Sequence, residues 1–373
     1  MNIKSSIFFC TNCLNVSTRP RITFDSRGWC NACQWAEEKK TLDWGAREKE
    51  LKDIFGKYCS KTDGFDCVVP CSGGKDGSYV AHNIKHKYGL NPLTVTVQPP
   101  LTRELGNKNI ENFKAQGYDH IQVSPNSKIM RSLNRIGFAD MGFGYYGWLV
   151  TVFSTVIRVA LAHNCSLIFY AEDGEVEYGG STENKNKSLF GLDYMKAKYF
   201  EGGYEKVMNQ VSYTDQEMYY WKFPQESELV DKDLFLTHWG YFEDWDPYRN
   251  YLVAKEHCGL QELDGRHIDT FQNFGQTDQM LVHLHAYMMY LKLGFGRTTQ
   301  DVGIEVRRGA MTRDQALNLV RLYDGHYPEE CIDIYLDYYQ ITQEEFDSIL
   351  DKWANKELFE KIDGRWKPKF IVK

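Results

Sequence analysis

Three groups of residues in this sequence have types and spacings that could do chemistry. The first, Ser72-Gly73-Gly74-Lys75-Asp76-Gly77-Ser78, follows the apolar run Cys67-Val68-Val69. Glycines let backbone N–H groups approach an anion closely, a helix N-terminus adds a favourable dipole, and lysine brings a point charge for phosphate oxygens. The stretch lacks the longer spacer and Gly-Lys-Ser/Thr ending of a Walker A loop, and it is not Gly-x-Gly-x-x-Gly. The second group is Cys10-x-x-Cys13 and Cys30-x-x-Cys33, sixteen residues apart. Two such knuckles present four thiolates tetrahedrally, which suits a structural zinc; an iron–sulfur cluster competes for the same ligands. A closed ligand set leaves no open position for catalysis, and metal binding would supply the folding energy of so short a segment. The third group is Glu172-Asp173-Gly174-Glu175-Val176-Glu177-Tyr178-Gly179-Gly180, after the apolar run 166–171. Acids and glycines at the C-terminal end of a parallel strand face the crevice where such sheets bind ligands.

Other constellations are weaker. His82 and His86 lie four apart, but no Glu follows the first His as in His-Glu-x-x-His, so a helix-surface pair is the better reading. His283 and His285 lie two apart and point to different faces of a helix, so they too read as structural. Cys71 has no triad residues around it and reads as a small buried side chain.

These groups need elements to position them. Residues 66–71 read as a strand, 79–88 as a helix with Val80, Ile84 and Tyr88 on one face, and 93–97 as the next strand. This is a βαβ opening, and it predicts an α/β fold with a doubly wound parallel sheet. A Cys-rich clip with its linker is expected over 1–45, the α/β domain over 63–206, and a mainly helical region over 207–373. Residues 39–57 read as a charged linking helix, and 315–323 and 344–353 as amphipathic helices, with a capped start at Thr312. Residues 141–157 are uncharged but carry three glycines and several hydroxyls, so a buried helix is expected rather than a membrane span.

Composition narrows the class. A net charge of −7 and an isoelectric point near 5.9 make a poor general nucleic-acid binder. No stretch at the N-terminus reads as a signal peptide, and the expected compartment is the cytoplasm. Ten cysteines in such a chain do not suggest disulfides.

Ser72-Gly73-Gly74-Lys75-Asp76 on a strand-to-helix turn resembles the PP-loop of the N-type ATP pyrophosphatases, whose pattern is Ser-Gly-Gly-x-Asp-Ser. This chain has Gly77 where many members carry Ser or Thr, with Ser78 next. The resemblance implies cleavage of ATP between the α- and β-phosphates, adenylation of a carbonyl-type oxygen, and displacement of AMP by nitrogen or sulfur. Taken with the cysteine pairs, Glu177-Tyr178-Gly179-Gly180, Gly294-Phe295-Gly296-Arg297-Thr298 and Ile304-Glu305-Val306-Arg307-Arg308-Gly309, nearly the whole chain resembles the N-acetyl sugar amidotransferase family. That family converts an N-acetyl group of a nucleotide-linked or acidic sugar to an acetamidino group for surface polysaccharide or glycan synthesis. Ammonia comes from a separate glutaminase with a cyclase-like protein.

The resemblance implies specific roles. Ser72, Gly73, Gly74 and Lys75 would hold phosphates, with Ser78 and Gly174 beside them. Asp76 would hold Mg²⁺, and the backbone of Thr96 or Val97 would pair with adenine. Glu172 and Asp173 would contact a second metal or position the nucleophile, completing a catalytic set with Lys75 and Asp76. On the sugar side, Arg297, Asp301, Arg307 and Arg308 are candidates for acidic groups, and Tyr145, Tyr146 and Trp148 for stacking; Arg131 and Arg135 read equally well as surface residues. The aromatic and acidic stretch 219–251 is either a docking surface for the ammonia donor or a packed insert. The rival reading is a tRNA thiolation enzyme using Cys71 and Cys165.

Overall fold

The computed structural model describes residues 7–59, 64–230 and 232–373. Five strands, β1 (Cys67–Pro70), β2 (Pro92–Val97), β3 (His120–Val123), β4 (Leu167–Tyr170) and β5 (Phe235–His238), form one parallel sheet. Their order is β3-β2-β1-β4-β5. It reverses between β1 and β4, and the C-terminal ends of those two strands flank a crevice.

Strand side chains alternate between two buried faces. Val68, Leu93, Val95 and Ile168 point into one core, which the helices Ser127–Met141 and Tyr146–Ala162 cover. Cys67, Val69, Leu167 and Phe169 point into the other, beneath the helices Trp44–Tyr58, Lys75–His82 and Glu104–Ala115. The sheet is therefore doubly wound. The uncharged stretch becomes the helix Tyr146–Ala162, with Val150, Val156 and Ile157 packed on the sheet. Among the described residues no helix is long and apolar enough to cross a membrane.

Several boundaries move. The linking helix expected over 39–57 is Trp44–Tyr58, starting later because Asp43 caps it by accepting from Ala46 N at 2.9 Å, and a separate helix, Asn31–Lys39, precedes it. The helix after the glycine loop begins at Lys75, earlier than its apolar spacing suggests, and ends in one π turn, Asn83–Lys87. The start expected at residue 63 lies outside the described residues. The end expected at 206 falls inside the sheet-bearing unit, since β5 comes later and pairs with β4. Four residues flanked by Trp239 carry too little period-2 signal to read as a strand. Beyond it the chain is mainly helical, with Arg313–Tyr323 and Gln343–Trp353 each opened by a capping box at Thr312 and Thr342. A hairpin, Phe359–Ile362 with Arg365–Pro368, turns on Asp363-Gly364, both at positive φ.

Candidate functional site

The glycine loop is built by packing on two sides. A Cβ on Gly77 would come 2.7 Å from Pro70 O and 2.9 Å from Cys71 Cα, so the helix Lys75–His82 rests directly on the end of β1. Gly73, at φ +76°, leaves no room either: a Cβ there would meet Ile110 N at 2.6 Å. Gly74 is the N-cap of the helix and is unobstructed, with Ser72 Oγ at 3.6 Å from its added Cβ. Ser72 donates to Asp278, and Ser78 is fully buried with its Oγ 3.7 Å from Cys71 Sγ. Of the two serines, Ser78 is therefore a core residue beneath the loop.

At the ends of β1 and β4 lies a cavity of about 460 Å³. Lys75 and Asp76 line it from the loop, Glu172, Gly174 and Glu177 from the segment after β4, and Phe295, Arg297 and Asp301 from the C-terminal region. Lys75 is paired with Asp76, whose other carboxylate oxygen accepts from buried Asn250 at 2.9 Å. Glu172 is exposed to the cavity yet surrounded by protein. That enclosure, then Asp76 and Glu175, push its carboxyl up to about 7, an effect its exposure to the open cavity weakens. Glu177 is buried, and burial followed by Asp173 pushes it up to about 8. Arg297 is held by Asp301 at 2.9 Å, and Thr270 donates to the other Asp301 oxygen at 2.6 Å. The site thus collects carboxylates with graded affinity for protons near Lys75 and the clamped Arg297.

Of the residues expected at the site, Lys75, Asp76, Glu172, Gly174, Arg297 and Asp301 line this cavity. Ser72, Gly73, Gly74, Ser78, Thr96 and Val97 lie outside its lining. The Thr96 hydroxyl donates to Cys71 O, and Val97 O accepts from Trp148 Nε1 at 3.1 Å. Asp173 points away. Its Oδ2 accepts from Trp35 Nε1 at 3.0 Å and Lys39 Nζ at 2.9 Å, so it anchors the N-terminal segment to the sheet. Tyr146 is a core residue donating to Phe200 O at 2.8 Å, while Tyr145 packs on Phe143, Trp148 and His285. Arg307 donates to Glu177 O at 2.7 Å, and Arg308 pairs with Glu305 at 2.7 Å and stacks on Tyr248. Neither arginine lines the large cavity; both line a neighbouring one of about 210 Å³.

The four cysteines meet as the spacing predicts. Cys10 and Cys33 Sγ are 3.7 Å apart, Cys13 and Cys30 3.5 Å, and all four sulfurs lie within 4.8 Å of one another. Zinc–sulfur bonds of about 2.3 Å in a tetrahedron set sulfurs about 3.8 Å apart, so the set fits such an ion. Asn12 and Asn15 each donate to a sulfur at 3.4 Å, and Cys30 N donates to Cys10 Sγ at 3.2 Å. These N–H···S bonds favour thiolates.

The clip docks on the segment after β4. Asn15 donates to Tyr178 O at 3.0 Å and Asn31 to Gly180 O at 2.6 Å. Gly179, at φ +90°, would drive a Cβ to 2.9 Å from Asn15 Nδ2. The loop between the two knuckles also reaches the cavity, where Arg19 and Arg21 line it and Arg21 is ion-paired with Glu175 at 2.6 Å. His285 lines the cavity as well, and burial, then Lys292, push it down to about 3, so it is neutral. Sequence reasoning passed over all three. Arg19 and Arg21 carry no motif of their own between the cysteine pairs, and His285 read as structural.

A second group of metal-type ligands, His267, Asp269 and His283, is already satisfied internally. Arg103 donates to His283 Nε2, His283 Nδ1 bonds Asp269 at 3.0 Å, and His267 bonds Gly275 O at 2.6 Å. A guanidinium on the imidazole opposes a cation there, which leaves this trio structural.

Residues 268–371 match the family model described as LPS biosynthesis protein WbpG-like, C-terminal domain. The match supports a role in polysaccharide biosynthesis. No curated protein matches the chain.

Proposed function

We propose that this protein is an ATP-dependent, AMP-forming amidotransferase that converts the N-acetyl group of a nucleotide-linked or acidic sugar to an acetamidino group. One observation carries the reading. Lys75 and Asp76 of the glycine loop open into the same cavity as Arg297 and Asp301, which belong to the segment similar to an LPS biosynthesis domain.

The chemistry suits the residues. An amide oxygen is a poor leaving group, and ammonia does not displace it unaided. Transfer of AMP from ATP to that oxygen, with release of pyrophosphate, gives an imidate. Ammonia then adds, AMP leaves, and one proton must be taken up. Lys75 and the helix N-terminus would bind the departing pyrophosphate. Asp76 and Glu172 are the carboxylates that would hold Mg²⁺, which neutralises phosphate charge when bound. The amidine formed is itself basic enough to keep the proton that ammonia sheds. The chain's own ammonia source would be a separate glutaminase. Thiolation chemistry fits less well, since burial pushes both Cys71 and Cys165 up to about 11 and away from reactive thiolates.

The test is AMP release with ammonium and a panel of nucleotide-linked acetamido sugars, with mass spectrometry of the sugar. The expected product has NH in place of one oxygen. Pyrophosphate release without that product overturns the amidotransferase reading. Lys75→Ala should lower AMP formation by about 10²-fold or more while the unfolding midpoint is kept.

A further inference from the structure

The cavity-lining cations are nearly all neutralised by the protein. Lys75 is paired with Asp76, Arg21 with Glu175, Lys198 with Glu183 and Arg297 with Asp301, while Lys292 donates to Met141 O. Arg19 differs. Among the described residues its guanidinium has neither an ion pair nor a hydrogen bond, and its Nε and Nη2 are buried without a partner. A buried charge left unpaired is costly, and folding tolerates it where something else supplies the counter-charge.

The guanidinium is nevertheless held in place. Its face stacks on Phe295 with the centroid 4.4 Å away, and its stem lies against Gly179, where an added Cβ would sit in ordinary contact at 3.5 Å from Arg19 Cδ. Beside it, Thr18 is fixed by donation to Leu293 O, and Arg21 by its two bonds to Glu175 at 3.0 and 2.6 Å. Three motifs separated by more than a hundred residues therefore converge to orient one unpaired cation. The plainer role, counter-ion to the clip's thiolates, falls mainly to Arg307, on which the charges of Cys13, Cys30 and Cys33 are the largest effects after burial, whereas Arg19 feels Cys30 and Cys13 only after Arg307 and Tyr178. Burial, and then the like charge of Arg307, push Arg19 down to about 10.

We infer that Arg19, presented by the metal clip, is the anion-recognising residue of the cavity and binds a carboxylate or phosphate group of the substrate through its planar fork. The clip is thus a wall of the binding site as well as a staple. The inference stands apart from the amidotransferase reading, because it concerns binding and needs no turnover.

Its test uses full-length, metal-loaded protein carrying Lys75→Ala, which silences the loop. This protein is titrated separately with inorganic phosphate and with malonate, followed by calorimetry and by the arginine Nε–H NMR signals. At least one anion is expected to bind and to shift the Arg19 signal. Adding Arg19→Ala should weaken that binding about tenfold or more, and Arg19→Lys should restore only part of it. Metal content and unfolding midpoint should stay unchanged in both variants. Phosphate preference or malonate preference identifies which substrate group is read. Binding of neither anion, or an Arg19→Ala protein that binds as its parent does, overturns the inference.

Discussion

The helix after the glycine loop approaches β1 so closely that a side chain at residue 77 would collide with Pro70 O and Cys71 Cα, 2.7 and 2.9 Å from an added Cβ. Those are backbone atoms and the end of a buried strand, and they do not yield as a flexible side chain would. Gly77→Ser, which would bring the loop closer to the hydroxyl-bearing pattern it resembles, should therefore destabilise the protein by about 1–3 kcal/mol. Gly74→Ala, with only Ser72 Oγ at 3.6 Å, should leave stability nearly unchanged and instead weaken ATP binding. Urea unfolding and nucleotide titration of the two variants separate the roles, and a Gly77→Ser protein as stable as the parent would refute the packing account. The sequence alone identifies a loop bare enough for an anion. It does not reveal that Gly73 and Gly77 are required by neighbouring helices and strands, since that depends on how closely elements pack. Arg19 escapes sequence reading for the same reason: its meaning lies in Phe295, far along the chain.

At the scale of elements, short-range patterns carried most of the information. β1, β2 and β4 and the two capped C-terminal helices stand where apolar runs and capping residues predict them. β3 and β5, the two edge strands, were illegible because polar residues break their apolar runs, His120 and Gln122 in one and Thr237 and His238 in the other. The acidic segment after β4 was legible as a site but not as a joint. The side chain of its Asp173 is 3% exposed and serves the helix Asn31–Lys39 through Trp35 and Lys39. Removing one partner of such a pair strands the other, and costs about 3–5 kcal/mol. Asp173→Ala should lose stability on that scale, whereas Asp173→Leu combined with Lys39→Met should regain much of it. AMP formation in the double variant then divides anchoring from catalysis. Activity that returns with stability marks Asp173 as an anchor, and activity that stays lost restores it to the catalytic set.

At the scale of the molecule, the region beyond β5 is continuous with the α/β core. Phe138, from a helix covering the sheet, packs in one cluster with Leu284, Met288, Tyr335, Tyr339 and Phe346, and stacks on Tyr339 with centroids 5.1 Å apart. Asn134 donates to Tyr338 at 2.9 Å, Trp353 donates to Ala139 O at 3.0 Å, and Arg313 reaches back to Cys10 O. A fragment covering 268–373 would expose that apolar face and leave the helix Leu281–Leu293 unpartnered on a side it buries almost completely. The segment similar to the LPS biosynthesis domain should therefore fail to fold alone, giving poorly dispersed amide NMR signals and no cooperative urea transition. Co-expression with residues 1–267 should restore a folded complex. A dispersed spectrum from the isolated fragment would overturn this account, and with it the view that the cavity depends on both parts. The same continuity explains how one cavity gathers Lys75 from the loop, Arg19 from the clip and Arg297 from the C-terminal region. Each comes from an element whose packing also buries core, so loss of a whole element, unlike truncation of one of these side chains, should act on stability and binding together.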